Sequence, residues 1–179
     1  EPVDAEPLPV SGRDRRLEPS AGELLESVEI IRNAINPIIL AGNGVARAGA
    51  APALRELARA TGIGVAETFM GKGMLDYTDT RALGTVGLQS RDYALAGFEG
   101  ADVVITVGYD LVEHAPQHWN PDRAKTIVCI DTVAPEVDAH YITEVDLVGD
   151  LYHILSRLGE ELRSAPYETP HSRLNDIVL

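Results

Sequence analysis

Residues 101–131 read ADVVITVGYDLVEHAPQHWNPDRAKTIVCID, and this stretch decides the fold. Two short runs dense in β-branched residues, ADVVITVG at 101–108 and KTIVCID at 125–131, flank a segment rich in Pro, His and Asn. Continuous apolar runs of this length suit strands buried on both faces, the habit of parallel sheets. Working outward, the signal recurs as PIILAG at 37–42, IGVAE at 63–67, a weaker LGTVG at 83–87 and TEVDLVG at 143–149.

Helical signals fill the intervals. Ser20 and Glu23 are spaced as a capping box, each side chain answering the other's unpaired backbone N–H. Leu24, Val28, Ile31 and Ile35 follow as one apolar stripe, and Asn36-Pro37 stops that helix. Pro52 suits the first turn of a helix with Leu54, Leu57 and Ala58 inward, ending at Gly62. Ser90 reads as the cap of a helix through RDYALAGFE (91–99), closed by Gly100. Asp150 caps a last helix that turns Leu151, Ile154, Leu155, Leu158 and Leu162 inward. Strand–helix alternation of this kind predicts an α/β, Rossmann-like doubly wound domain. Its six-stranded, mostly parallel sheet should carry helices on both faces.

At 179 residues the chain is one domain, and with 45% hydrophobic and 24% charged residues its composition is globular. Four prolines within residues 1–19 and the Pro, Ser and Thr of residues 164–179 mark both ends as linkers around a domain at 20–163. The start at Glu1 and the apolar end at Leu179 suggest a segment of a longer protein, cut before a C-terminal domain. A net charge of −13, from 28 acidic and 15 basic residues, repels phosphate backbones and anionic lipid, so neither nucleic acid nor membrane is an expected partner. No apolar run reaches the roughly 18 residues of a membrane span, and no signal-peptide pattern opens the chain. A cytoplasmic location is expected. The only cysteine, Cys129, excludes a disulfide framework and a CxxC metal site; inside a strand it should be an inert apolar filler.

In open α/β sheets ligands sit outside the carboxyl ends of the strands, so the residues just after each run carry the chemistry. After the first stands Gly42-Asn43-Gly44-Val45-Ala46-Arg47, a partial GxGxxG with Arg47 at the third glycine, which reads equally as a tight strand-to-helix turn. After the second stands Thr68-Phe69-Met70-Gly71-Lys72-Gly73, which lacks the Ser or Thr of a P-loop. Gly108-Tyr109-Asp110 and Asp131-Thr132 follow the central pair. Asp131 lies 89 residues beyond Gly42 (131 − 42), far from the spacing of about 20 at which a dinucleotide fingerprint places its ribose-binding acid. It reads first as a turn cap, second as a ribose contact. His114, His118, His140, His153 and His171 form no HExxH, and their spacing points to solvated or structural roles. No nucleophile elbow occurs, so the chain shows no catalytic constellation.

The ordered set PIILAGNGV, GVAETFMGKGMLD, LGTVG, ADVVITVGYDLVEHAPQHWN, IVCIDTVAPEVD and TEVDLVGDL resembles the central domain of thiamine-diphosphate enzymes of the acetolactate synthase group, over about residues 20 to 163. The resemblance implies a domain lying between a pyrimidine-binding and a diphosphate-binding domain of one chain, in a homo-oligomeric enzyme that joins two pyruvates to 2-acetolactate. In that family the catalytic glutamate belongs to the first domain, and the GDG…N motif that holds Mg²⁺ and thiamine diphosphate belongs to the third. Gly149-Asp150-Leu151 is not GDG, so this segment alone is expected to be inactive.

FAD-containing members hold FAD in the crevice of this domain. The positions matching their contacts are Gly42, Asn43, Gly44, Thr68, Phe69, Met70, Gly108, Asp131 and Asp150. The family's GAR motif reads Gly108-Tyr109-Asp110 here, with an aspartate where those members carry arginine, and GYDLVEHAPQHWN resembles the FAD-independent catabolic type. The departure weighs against FAD and makes Asp110→Arg the expected route to flavin affinity. Two other readings stand beside this one. A nucleotide-binding module, such as a flavin domain of an electron-transfer protein or of another thiamine-diphosphate decarboxylase, would share the architecture. A sirtuin-like deacylase would also share it, but needs a zinc-binding cysteine set that one cysteine cannot supply.

Overall fold

The computed structural model describes residues 18–163. The linker expectations for 1–19 and 164–179 therefore fall, except at Glu18 and Pro19, outside the described residues, as does His171. Helix α1 (Ala21–Asn33) starts as its sequence requires: Glu23 N–H donates to Ser20 Oγ, and Ser20 N–H donates to Glu23 Oε2 at 2.7 Å. Leu24, Val28 and Ile31 are buried, but Ile35 is 67% exposed. The stripe breaks there because the helix ends at Asn33, and the Asp102 carboxylate takes the N–H groups of Ile35 and Asn36, both at 2.7 Å. That pull aims the chain into the sheet.

Six strands follow: β1 (Pro37–Ala41), β2 (Gly64–Thr68), β3 (Ala82–Val86), β4 (Val103–Val107), β5 (Thr126–Asp131) and β6 (Val145–Val148). Their order is β3-β2-β1-β4-β5-β6, and every pairing is parallel. This is the doubly wound arrangement, with the strand order reversing between β1 and β4. Those two strands run in register from Pro37 opposite Val103 to Ala41 opposite Val107.

Alternate strand residues supply two cores. On one face Ile39, Val65, Ile105, Val128 and Leu147 pack against α1, α3 (Ala51–Thr61) and α5 (Leu151–Arg163). Pro52 lies in the first turn of α3, and Gly62 ends that helix in the left-handed region at φ 75°. The five residues expected to face inward from α5 are all buried, and its first turn is held by His153 N–H donating to Asp150 Oδ1 at 2.9 Å. His153 itself points outward, with Nε2 3.7 Å from the Glu18 carboxylate.

The other face is covered differently. The helix expected over 91–99 is only α4 (Asp92–Leu95), because Gly97 turns to φ 92° and the chain restarts as a 3₁₀ turn at Phe98–Gly100. Ser90 does not cap it. Instead the Asp92 carboxylate accepts the N–H groups of Leu88 and Gln89, at 2.7 and 2.8 Å. An aromatic cluster fills the space a longer helix would take: Trp119 lies 5.7 Å from Phe98, 6.1 Å from Tyr109 and 6.3 Å from Tyr141 between ring centroids. Edge-on rings bury much surface without a regular helix. Among the described residues, no helix is long and apolar enough to cross a membrane.

The helix layer depends on α5, so Leu155, fully buried in it, is a test of the packing. Leu155→Ala should lower unfolding free energy by about 2–5 kcal/mol, read from urea denaturation as a shifted midpoint of one cooperative transition.

Candidate functional site

The crevice opens where the strand order reverses. After β1 the chain turns at Gly42 into the short helix α2 (Asn43–Arg47), and after β4 it turns at Gly108. These two turns are pressed together backbone to backbone. Gly42 N–H donates to Val107 O at 2.9 Å, Gly44 N–H donates to Gly108 O at 2.8 Å, and Gly108 N–H donates to Ile130 O at 2.9 Å. A Cβ on Gly44 would lie 2.6 Å from Gly108 Cα, and one on Gly108 would lie 2.5 Å from Val45 N. Gly108 is also at φ 54°. Only glycine fits either position.

The next N–H, that of Asn43, donates to both carboxylate oxygens of Glu113 at 3.2 Å. Glu113 comes from the loop after β4 and is half-buried. It also accepts the Thr68 hydroxyl, whose oxygen in turn accepts Gly71 N–H at 3.1 Å. One carboxylate thus joins the carboxyl ends of β1, β2 and β4. Glu67, buried on β2, plays a parallel part for the GKG loop, accepting Gly73 N–H at 2.9 Å and Leu75 N–H at 2.7 Å.

Beside this clamp lies an open crevice of about 410 Å³, lined by α2 and by the loops after β4 and β5. Its charged lining is Asp110, Glu113, Asp131 and Glu136 against a single cation, Arg47. Burial raises the Asp131 carboxyl above its ordinary range, opposed by hydrogen bonds from its own turn and by the nearby Arg47 guanidinium. Asp131 Oδ1 accepts Thr132 N–H at 2.6 Å, which is the turn-capping role its sequence position suggests. Cys129 and Tyr141 close the floor, with the Tyr141 hydroxyl 2.7 Å from Thr106 Oγ1. Burial pushes the Cys129 thiol up to about 11.

Of the nine positions singled out in the sequence, Asn43, Gly44, Gly108 and Asp131 line this crevice. Gly42 and Thr68 are buried behind it, Phe69 and Met70 are exposed, and Asp150 is engaged at the start of α5. Glu113 is legible in the sequence as a second acid close behind Asp110, unfavourable to a diphosphate, but nothing along the chain marks it as a clamp across three strand ends. His114 is buried and stacks on His118, ring centroids 5.4 Å apart; Trp119 and Tyr141 are structural anchors.

The geometry agrees with the comparisons to known proteins. A family described as thiamine pyrophosphate enzyme, central domain, matches residues 24–158. The chain belongs to this family. An acetolactate synthase of Bacillus subtilis is 30% identical to this central domain over 82% of the chain and 26% of its own length. A catabolic acetolactate synthase of Raoultella terrigena is 27% identical over 96% of the chain and 31% of its own length. In structure, a protein of Mycobacterium smegmatis described as a thiamin diphosphate-dependent enzyme matches with a TM-score of 0.71 and 26% identity, over 91% of this chain and 31% of that one. The chain therefore spans about a quarter to a third of the length of these relatives.

Two outcomes follow from the interlocked turns and the buried thiol. Gly44→Ala, whose new carbon meets Gly108 backbone at 2.6 Å, should destabilise the central domain by about 1–3 kcal/mol or more. Gly22→Ala in the first turn of α1, with nothing nearer than Ser20 Oγ at 3.8 Å, should be neutral or stabilising by up to about 1 kcal/mol. Both are read by denaturant titration. Because the Cys129 thiol is raised in the fold to about 11 from 9.0, the native state holds its proton longer than the unfolded chain. Its contribution to stability is whole below the unfolded value and is lost as pH rises from about 9 to about 11. Ellman's reagent at neutral pH should label Cys129 only at the rate of unfolding.

Proposed function

We propose that the whole protein is an acetolactate synthase-like carboligase, which decarboxylates one pyruvate and joins its two-carbon remainder to a second, giving 2-acetolactate and CO₂. The observation that carries this reading is the family match over residues 24–158 together with the partial coverage of each relative. Thiamine diphosphate, when bound, supplies the carbanion equivalent for that chemistry. No residue of this chain is assigned to hold it: the crevice is acidic and has one cation, a poor match for a diphosphate and its metal. Thiamine diphosphate and Mg²⁺ are therefore proposed to bind the flanking domains of the same polypeptide.

On this reading the chain is a spacer. Its sheet fixes the distance between the two flanking domains, residues 1–19 and 164–179 serve as the connections, and the assembled enzyme is a cytoplasmic homo-oligomer. The likeness to the catabolic synthase and the GYDLVEHAPQHWN segment support placement on the FAD-independent side. A ligand in the crevice would have Asn43, Gly44, Gly108 and Asp131 among the residues lining it.

Calorimetric titration of the 179-residue chain with thiamine diphosphate and Mg²⁺ should give no binding heat, and added pyruvate should not be consumed. Micromolar affinity in the isolated chain would overturn the assignment. The polypeptide encoded with its flanking regions should instead convert pyruvate to acetolactate when supplied with both cofactors.

A further inference from the structure

A Rossmann sheet with this strand order ordinarily receives a dinucleotide's diphosphate on the free N–H groups of the turn after β1. Here none of those groups is free. Gly42 N–H is taken by Val107 O, Gly44 N–H by Gly108 O at 2.8 Å, and Val45 N–H by Gly42 O at 3.2 Å. The remaining one, Asn43 N–H, is taken by Glu113, which both of its oxygens approach at 3.2 Å. Glu113 also receives the Thr68 hydroxyl from the end of β2.

We propose that Glu113 is an internal anion that occupies the diphosphate position of this crevice and closes it to dinucleotides. Three observations converge on that residue. It is an acceptor-only, negatively charged group, as a phosphate oxygen is, and it satisfies the same kind of donors: one backbone N–H and one hydroxyl. It is held from two strand ends, by Asn43 N–H after β1 and by the Thr68 hydroxyl at the end of β2. And the crevice offers a phosphate one cation, Arg47, against the carboxylates of Asp110, Asp131 and Glu136 besides Glu113 itself. A phosphate entering the turn would have to displace the carboxylate and then sit beside it.

The assignment shifts the specificity residue away from Asp110. Asp110 is exposed, and its carboxylate turns back to accept Val112 N–H at 3.1 Å. Exchanging it for arginine adds a cation at the rim but leaves the donor of Asn43 covered. The inference rests on reading this crevice as the Rossmann ligand site and does not depend on pyruvate chemistry, so a binding measurement tests it apart from the enzyme's activity.

The experiment compares the 179-residue chain with Glu113→Ala, Glu113→Gln and Asp110→Arg, titrating each by calorimetry with inorganic pyrophosphate, ADP and FAD. The parent chain and Asp110→Arg should show no binding at low micromolar ligand. Glu113→Ala should bind pyrophosphate and ADP at least roughly thirtyfold more tightly than the parent, the expected effect of removing one like charge at contact distance. Glu113→Gln keeps the shape and removes the charge, and serves if the alanine variant fails to fold. It should gain part of that affinity, and without ligand the exchange should shift the amide proton resonance of Asn43 relative to the parent more than that of Gly44. A folded Glu113→Gln or Glu113→Ala with no gain over the parent would overturn the proposal. So would stoichiometric FAD or ADP on the parent chain, or an Asn43 amide indifferent to Glu113→Gln.

Discussion

The contact on which the rest of the structure depends is the backbone seam between the turn after β1 and the turn after β4. Gly44 N–H reaches Gly108 O, and there is no room between the two turns for a single methyl group. The reversal of strand order would otherwise open a slot here, since the connections leave β1 and β4 toward opposite faces. Closing it with main chain keeps β1 and β4 in register up to Ala41 and Val107, and so fixes where both sets of loops begin. It also consumes the donors that the same turn offers a ligand in other domains of this strand order.

The two faces of the sheet solve burial by different means. One uses α1, α3 and α5, with apolar stripes that can be read from spacing alone. The other uses four aromatic rings brought together from α4's far side, from the loop after β4 and from the loop before β6. That second solution leaves the loop after β4 tightly held. The hydroxyl of Tyr109 donates to His114 O, and Asn120 Nδ2 donates to His140 O at 2.8 Å, so Glu113 is carried on a braced segment rather than on a free loop. A carboxylate held this way is pre-organised for the donors it meets.

On the proposed function, a domain of this kind contributes geometry to a longer enzyme rather than reacting groups. Its crevice is acidic, its thiol is buried, and the side chains at its strand ends are spent on holding one another. The matched segment covers 26% and 31% of two of its relatives, which extend well beyond it.

Local chemistry settled whatever depends on near neighbours. The Ser20–Glu23 box, Pro52 and Gly62 around α3, Asp150 before α5 and the β-branched runs of β4 and β5 act over a few residues, so the sequence alone determines them. Four of the crevice positions were legible for the same reason, because strand ends can be found from apolar runs. Where local signals misled, a distant partner intervened: Ile35 left its stripe because Asp102 captured its N–H, 67 residues away, and Ser90 lost its helix to Gly97 and to the Asp92 carboxylate. The clamp itself could come only from the tertiary fold. Asn43 and Glu113 are 70 residues apart and Thr68 lies 45 from Glu113, and no pattern along a chain states which acid will meet which N–H once parallel strands bring their ends to one edge.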